Sequence, residues 1–376
     1  MKKVEISIIL PCRNEEKALE SVLAQAKKIL SKNRINGEII VSDSSSDGSP
    51  EIAKKCGVRL IKHDKDGYGN AILEGFKIAR GKYLFIADAD GSYDLNEIPK
   101  FLKSLREGND FVIGNRFKGK IEKGAMPFSH EHIGNPLLSG ILRLFFRSKV
   151  RDVHCGMRAI SKEALKKLNL YTTGMEFASE MVVQAAKNKL KIKEIPINYH
   201  SRKGDSKLRT MADGWRHIRF MFLYSPMFLF FIPGIMLFLL GFVSMLMLYF
   251  GGLTLLGVRL YFHPMFLSAA FLIIGYQLMI FAVFAKTYAI THLGEESKMM
   301  NRLHKLVSIE KASIFGSIVI VVGAIIYLNI FLGWMKSGFG SLNEVKNSIV
   351  ALTFVVLGVQ TIFSSFMLSI LGIRGR

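Results

Sequence analysis

The chain has 376 residues, half of them hydrophobic, and carries 51 Lys and Arg against 30 Asp and Glu, a formal net charge of +21. That length allows two domains and excludes a single small module. Three cysteines, Cys12, Cys56 and Cys155, are odd in number and far apart, which argues against a disulfide-stapled secreted fold and for reduced thiols.

Residues 1–225 read as a soluble α/β domain and residues 226–376 as a membrane domain. After Pro226 there are ten Lys and Arg and four Asp and Glu, a net of +6, which leaves 21 − 6 = +15 on the first 225 residues. A basic soluble domain joined to apolar spans points to anionic lipid headgroups and phosphorylated substrates, and away from nucleic acid. The first residues enter a strand pattern directly, so no signal peptide is expected.

Val4–Leu10 predicts a first strand, followed by the polar loop Pro11-Cys12-Arg13-Asn14-Glu15-Glu16 and a helix over 17–31. Residues 38–41 predict a second strand, and the Ser/Asp cluster 42–50 a cap for a short helix to Cys56. A third strand is expected over 58–61 and a helix over 71–80, opened by Gly67-Tyr68-Gly69-Asn70. The fourth strand starts at Tyr83 and the fifth covers 111–114. Strands alternating with helices at this spacing imply a mostly parallel, doubly wound sheet, with ligands outside the carboxyl ends of its strands. Pro11, Asp43, Asp88 and Arg116 all fall at such ends and are expected to share one cleft.

The fourth strand, Tyr83-Leu84-Phe85-Ile86, leads into Asp88-Ala89-Asp90-Gly91-Ser92. Strand alternation would put the Asp88 and Asp90 side chains on one face. Two carboxylates side by side repel, and Mg²⁺ or Mn²⁺ relieves that repulsion while gripping substrate phosphates.

Residues 136–151 mix Leu137, Leu138, Ile141, Leu142, Leu144, Phe145 and Phe146 with Arg143, Arg147, Lys149 and Arg151, and 206–224 has the same character. Basic amphipathic helices of this kind suit a bilayer surface. Four apolar stretches follow, near 227–250, 262–285, 312–334 and 348–372, each long enough to span a bilayer. If the N-terminal domain is cytoplasmic, the loop 286–311 with Lys286, Lys298, Arg302, Lys305 and Lys311 is cytoplasmic too, as are Arg374 and Arg376. The outward loops hold only Arg259, Lys336 and Lys346, in keeping with the positive-inside rule. Gln360 and Asn329 read as contacts between helices.

Pro11-x-Arg13-Asn14-Glu15, the Asp43 cluster, Asp88-Ala89-Asp90-Gly91 and Gly114-Asn115-Arg116 together resemble the nucleotide-sugar domain of family 2 glycosyltransferases. Arg151-Asp152-Val153-His154-Cys155-Gly156-Met157-Arg158 and Ser201-Arg202-Lys203-Gly204-Asp205-Ser206-Lys207-Leu208 resemble its polyprenyl-phosphate branch, the dolichyl-phosphate glucose and mannose synthases. The resemblance covers about residues 5–224. It implies a Rossmann-like GT-A domain with interfacial helices, followed here by four transmembrane helices, in a multi-pass protein of the cell membrane with the catalytic domain and both termini cytoplasmic.

By the same resemblance, Pro11, Arg13, Glu15, Asp43, Ser44 and Asp88 hold the nucleotide, and Asp88 and Asp90 hold Mg²⁺ or Mn²⁺ with the diphosphate. Arg116, Arg202, Lys207 and His130 bind the lipid phosphate; His130 stands where the family has a second arginine. Mannose synthases follow D-x-D with Leu-Gln, whereas this chain has Gly91-Ser92. Asp-Ala-Asp-Gly and Asp-x-x-Cys-Gly are closer to the glucose branch. The donor implied is therefore a UDP- or GDP-hexose, UDP-glucose first, and the acceptor a polyprenyl or dolichyl phosphate. A homo-oligomer is compatible with the sequence.

A phosphate acceptor is already an anion at pH 7 and needs no general base. Asp90, Arg116, Arg202 and Lys207 would position and neutralise rather than move protons, and a single displacement would invert the anomeric centre. Three other readings remain: a GDP-mannose-dependent mannose synthase, a processive polysaccharide synthase, and a non-catalytic lipid-sugar flippase or scaffold. The Gln-x-x-Arg-Trp sequence of processive synthases is absent. His154 and Cys155 read as a packed turn.

Overall fold

The computed structural model describes residues 3–204, 210–251, 253–255, 258–292 and 308–372. The chain forms two compact units, residues 1–221 and 222–376.

In the first unit, β1 (Ile6–Cys12), β2 (Gly37–Asp43), β3 (Arg59–Lys62), β4 (Tyr83–Ile86), β5 (Phe111–Asn115), β6 (Arg158–Ser161) and β7 (Ile192–Pro196) form one sheet in the order β3-β2-β1-β4-β6-β5-β7. β1 pairs in parallel with β2 and β4, and β5 with β7. β6 runs antiparallel to both β4 and β5. Two reversals restore direction, so every strand except β6 ends at the same edge of the sheet. That edge gathers the residues after β1, β2, β4 and β5.

The core follows the apolar pattern. Strand β1 buries Ile6, Ile8, Ile9 and Leu10. α1 (Glu16–Lys32) buries Ala18, Leu19, Val22, Leu23, Ala26, Ile29 and Leu30, one stripe at helical spacing. α2 (Ser49–Lys55), α3 (Tyr68–Ile78), α4 (Ile98–Arg106), α5 (Asn135–Phe146), α6 (Lys162–Leu165) and α7 (Phe177–Lys187) complete the unit, with α8 (Thr210–Leu223) at its carboxyl end.

Two expectations change here. β4 ends at Ile86, so Asp88 and Asp90 sit in a turn, not on a strand, and strand alternation does not set their directions. Gly91, at φ +79°, turns the chain in the left-handed region that glycine adopts without strain. The sheet also has seven strands, two more than the sequence predicted.

Among the described residues of the second unit, four helices are long and apolar enough to cross a membrane: Met227–Phe250, His263–Thr291, Ile309–Lys336 and Val345–Gly372. We label their α-helical parts α9 (Ile232–Phe250), α10 (His263–His292), α11 (Ile309–Lys336) and α12 (Val345–Gly372). Polar side chains join them: Ser244 to Ser268 at 2.8 Å, Tyr276 to Thr361 at 2.6 Å, and Gln360 Nε2 to Gln277 Oε1 at 2.9 Å. Gln360 thus makes the expected interhelical contact, whereas Asn329 is exposed on α11. Lys286 lies within α10 rather than in a loop. Lys298, Arg302, Lys305, Arg374 and Arg376 lie outside the described residues.

Candidate active site

The carboxyl edge of the sheet brings four segments together. Register pairing sets Pro11 beside Ser42 and Cys12 beside Asp43, so the loop after β1 meets the Ser/Asp loop after β2. Asn14, held at φ 54°, receives Ser46 N–H on its Oδ1 at 2.8 Å and donates its own N–H to Ser45 Oγ at 2.8 Å. Glu15 N–H donates to Ser49 Oγ at 3.1 Å. The two loops are therefore knitted by short polar side chains that strand packing alone would not align. Arg13 reaches outward to Asp66 at 3.1 Å, and Ser44 N–H donates to Cys12 O at 3.1 Å. Asp43 is fully buried. Its Oδ1 accepts from Ser45 Oγ at 2.6 Å, and its Oδ2 has no partner. A buried acceptor without a donor is costly, and the N–H of a nucleobase would satisfy it.

Asp88 and Asp90 lie in the turn after β4. Ser92 holds Asp90, donating N–H at 2.9 Å and Oγ–H at 2.6 Å to its Oδ1. Ser92, which stands where mannose synthases have glutamine, thus orients the second aspartate. Asp88 has a buried Oδ1 without a partner. A Cβ on Gly156 would stand 2.9 Å and 3.0 Å from the two Asp88 carboxylate oxygens and 3.1 Å from the Tyr93 hydroxyl. Only glycine leaves that carboxylate its place, which gives the Asp-x-x-Cys-Gly spacing a physical reason. Burial, then the charge of Asp90, push the Asp88 carboxyl up to about 7, against the pull of Arg116, Arg202 and Arg158. Burial, then the Asp88 charge, raise the Tyr68 hydroxyl well above its ordinary value, and that hydroxyl also lacks a partner.

A divalent cation fits this donor set. One carboxylate is oriented by Ser92, and the other has an orphaned buried oxygen and a charge its surroundings resist. Among the described residues no group of three or more His, Cys, Asp or Glu could enclose a metal alone. Two carboxylates completed by substrate phosphates is the usual arrangement for Mg²⁺.

Cations converge on the carboxylates. Arg202 Nη2 lies 3.2 Å from Glu15 Oε1 and 3.5 Å from Asp90 Oδ2, and its buried Nε has no partner. The segment is pinned by Lys203 N–H to Asp90 O at 3.0 Å and His200 N–H to Ser92 O at 2.9 Å. Lys207 lies outside the described residues. Arg116 is buried, and its fork is committed to Asp152: Nε to Oδ2 at 2.8 Å, Nη2 to Oδ1 at 2.7 Å, and backbone N–H to Oδ2 at 2.9 Å. Its guanidinium also lies over Tyr199, 5.3 Å from the ring centre. His130 is half-buried in the helical turn His130–Gly134, with its N–H donating to Pro127 O at 2.9 Å.

Several residues that shape the site were given no role by the sequence. Asp152 is fully buried, as is Arg158, whose guanidinium donates to the carbonyls of Val153, Cys155 and Ala178 at 2.7–2.9 Å. Glu194 on β7 receives Arg151 N–H, Asp152 N–H and Asn115 Nδ2 on one oxygen. The signal was present in the Asp-x-x-Cys-Gly-x-Arg run, where an acid and a base flank an apolar turn. Cys155 N–H donates to Asp152 O at 3.4 Å, so this run is a turn, with Cys155 fully buried inside it.

Behind the turn lies a histidine pair, His217 buried and His154 half-buried. Burial pulls the His217 imidazole down to about 4, with Asp213 opposing and Arg158 adding. Burial likewise, then His217, Arg116 and Arg158, hold His154 well below its ordinary value. A free imidazole titrates near ~6.5. Between ~6.5 and about 4 the unfolded chain therefore binds protons that the folded chain refuses. The stability due to neutral His217 is complete above pH ~6.5 and is lost as pH falls through about 4, a loss on the order of 3 kcal/mol. The thermal midpoint reported by Trp215 emission in a Trp334→Phe background should fall from pH 7 to pH 5, and less steeply with His217→Asn. Equal slopes would contradict the burial cost assigned to this residue.

Residues 7–169 match the glycosyl transferase family 2 profile, and residues 283–372 match that of the glycosyltransferase family 2 C-terminal transmembrane region. The low-salt glycan biosynthesis hexosyltransferase Agl6 of Haloferax volcanii is 38% identical over 98% of this chain and 89% of its own length. A dolichyl-phosphate hexose transferase of the same organism is 31% identical over 56% of this chain and 89% of its own length. Among solved structures, the glucosyl-3-phosphoglycerate synthase of Mycobacterium tuberculosis with Mn²⁺, UDP and glucosyl-3-phosphoglycerate superimposes on 59% of this chain and 80% of that one, at 22% identity and a TM-score of 0.47.

Proposed function

The chain belongs to glycosyltransferase family 2 as a multi-pass membrane hexosyltransferase, and from that premise we propose that it transfers glucose from UDP-glucose to a polyprenyl or dolichyl phosphate with inversion. The observation that carries this reading is the meeting of Asp88 and Asp90 with Arg202 at one strand edge. Carboxylates there suit a cation with a diphosphate, and the cationic side chain suits a second anion. A carbohydrate hydroxyl acceptor would need a base to remove its proton, and a phosphate monoester does not.

Asp43 with its unpartnered oxygen, and Pro11, Arg13, Glu15 and Ser44 around it, would take the base and ribose. Asp88 and Asp90 would hold Mg²⁺ or Mn²⁺, which when bound neutralises the nucleoside diphosphate leaving group. Arg202 would offer its Nε and its charge to the acceptor phosphate, and Lys207 and His130 would be further ligands of that phosphate. Arg116, locked by Asp152, would contribute fixed positive charge to the same anions. Repulsion between two anions meeting at one sugar carbon is thereby offset before reaction, and the approach geometry is set by groups that do not move. Lys and Arg placement between the spans supports a cytoplasmic catalytic domain and cytoplasmic termini.

Incubation of the purified protein with labelled UDP-glucose, Mg²⁺ and polyprenyl phosphate should move label into the organic phase. Label moving only from GDP-mannose would replace the donor, and label appearing only in polymer would replace the acceptor.

Arg202→Ala should lower kcat/KM for the lipid by about 10–100-fold, the loss of one charge-assisted contact worth about 1.5–3 kcal/mol. Its charge competes with a cation at Asp90, so donor affinity by calorimetry should change by less than about threefold on the same scale of energies. An equal loss of donor affinity would place Arg202 on the nucleotide instead.

A further inference from the structure

The turn Asp152–Gly156 carries two parts of the site: the carboxylate that grips Arg116 and the glycine that gives Asp88 its place. Its middle residue, His154, meets a polar cluster formed with Ser179 and His217. Ser179 Oγ of α7 lies 2.8 Å from His217 Nδ1 of α8 and 3.4 Å from His154 Nε2. The two imidazoles meet edge to face with ring centres 4.4 Å apart. Ser179 is fully buried and His217 is 6% exposed, and Phe177, Ala178 and Met181 on α7 and Phe220 and Met221 on α8 are buried as well.

Apolar side chains would fill this space without the cost of burying a hydroxyl and two rings. What the polar set adds is direction. A serine hydroxyl has one proton to donate. With an imidazole nitrogen on each side, it donates to one ring and accepts from the other, so the tautomer of each ring fixes that of its neighbour. Such a chain holds His154 in one place and one orientation, where an apolar contact would let it turn. The same turn is tied at its ends by Glu194 and by Gly156 N–H to the Tyr93 hydroxyl at 2.7 Å, and Arg158 holds the Val153 and Cys155 carbonyls between them, so His154 adds a side-chain tie to a turn whose backbone is already bonded.

We propose that His217, acting through Ser179 and His154, is a positioning residue for glycosyl transfer: it fixes the turn that sets Asp88 and Arg116. α8 therefore has two faces with different tasks. Met211, Trp215 and Arg216 are exposed, while His217, Phe220 and Met221 are buried, and the histidine carries the position of the helix into the site. The inference rests on the glycosyl-transfer reading for its kinetic assay only.

Four variants of the full-length protein test it. His217→Leu fills the space without a nitrogen, Ser179→Ala removes the hydroxyl, and His217→Asn keeps a polar atom near the position of Nδ1. The fourth is the His217→Leu/Ser179→Ala double variant. His217→Leu and Ser179→Ala should each lower kcat by about 10–30-fold with KM for the lipid unchanged, the scale of a sub-ångström misplacement. The double variant should lose no more than the worse single one, because the two act as one chain. His217→Asn should recover kcat to within about threefold of the wild type on that scale. Amide hydrogen exchange supplies a readout independent of transfer: residues 153–157 and Arg116 should exchange about tenfold faster in His217→Leu, with β1–β3 unchanged. Additive losses, His217→Asn as impaired as His217→Leu, or turn exchange unchanged in His217→Leu would each overturn the proposal. If the wild type transfers no sugar, the functional reading fails, and the exchange measurement still decides this one.

Discussion

Asp88→Ala should lower transfer by about 1,000-fold or more, roughly 4 kcal/mol of transition-state stabilisation. The carboxylate removed has an orphaned buried oxygen, a like charge at Asp90, and a glycine reserved for it at position 156. Each feature costs the resting protein something, and a cation shared with a diphosphate repays all three. Asp90→Ala should be as severe, because Ser92 and Arg202 both orient that side chain. EDTA should reproduce the loss in the wild type, and Mg²⁺ or Mn²⁺ should restore it. Calorimetry adds a check that does not depend on turnover. With the Asp88 carboxyl pushed upward by burial and by Asp90, Mn²⁺ binding near neutral pH should release protons, so its apparent heat should vary with the buffer. Full activity of Asp88→Ala in EDTA would remove the metal from the account.

Asp152→Ala should be the most destabilising single change at the site. It strips three hydrogen bonds from Arg116 and leaves a buried guanidinium over the Phe117 and Tyr199 rings without its paired carboxylate. Breaking a buried pair on one side costs about 3–5 kcal/mol. For a unit of this size that is a fall of roughly 10 °C in the thermal midpoint. Removing both charges should hurt less: Arg116→Met/Asp152→Leu should regain most of the stability while transfer stays lost. A variant that regains both would show that the pair is structural only. A midpoint unchanged in Asp152→Ala would show that Arg116 finds water or another partner.

The parts of the fold that follow from local pattern were legible in the sequence. The span predicted at 227–250 coincides with Met227–Phe250, and the helices after β1 and β2 begin within a residue or so of their predicted starts. The apolar runs of β1 to β5 announce themselves in the same way. β6 did not, because its four residues begin with Arg158, a buried cation no strand pattern predicts, and because its neighbours lie far off in sequence. The site divides along the same line. Asp88 and Asp90 stand out by spacing, although a turn rather than a strand sets their directions. The Arg116–Asp152 pair spans 36 residues and the Arg202–Glu15 pair 187, and no local rule connects them. His217 reads as one more residue of an amphipathic helix, and only packing shows which side of the helix it is on.

The most direct test of the central claim is the ¹H–³¹P correlated NMR spectrum of the lipid product made from UDP-glucose and polyprenyl phosphate. The account predicts a β-anomeric proton coupled to the lipid phosphorus, the mark of one inverting displacement by a phosphate oxygen. An α-anomer, or a glucose with no coupling to phosphorus, would contradict it.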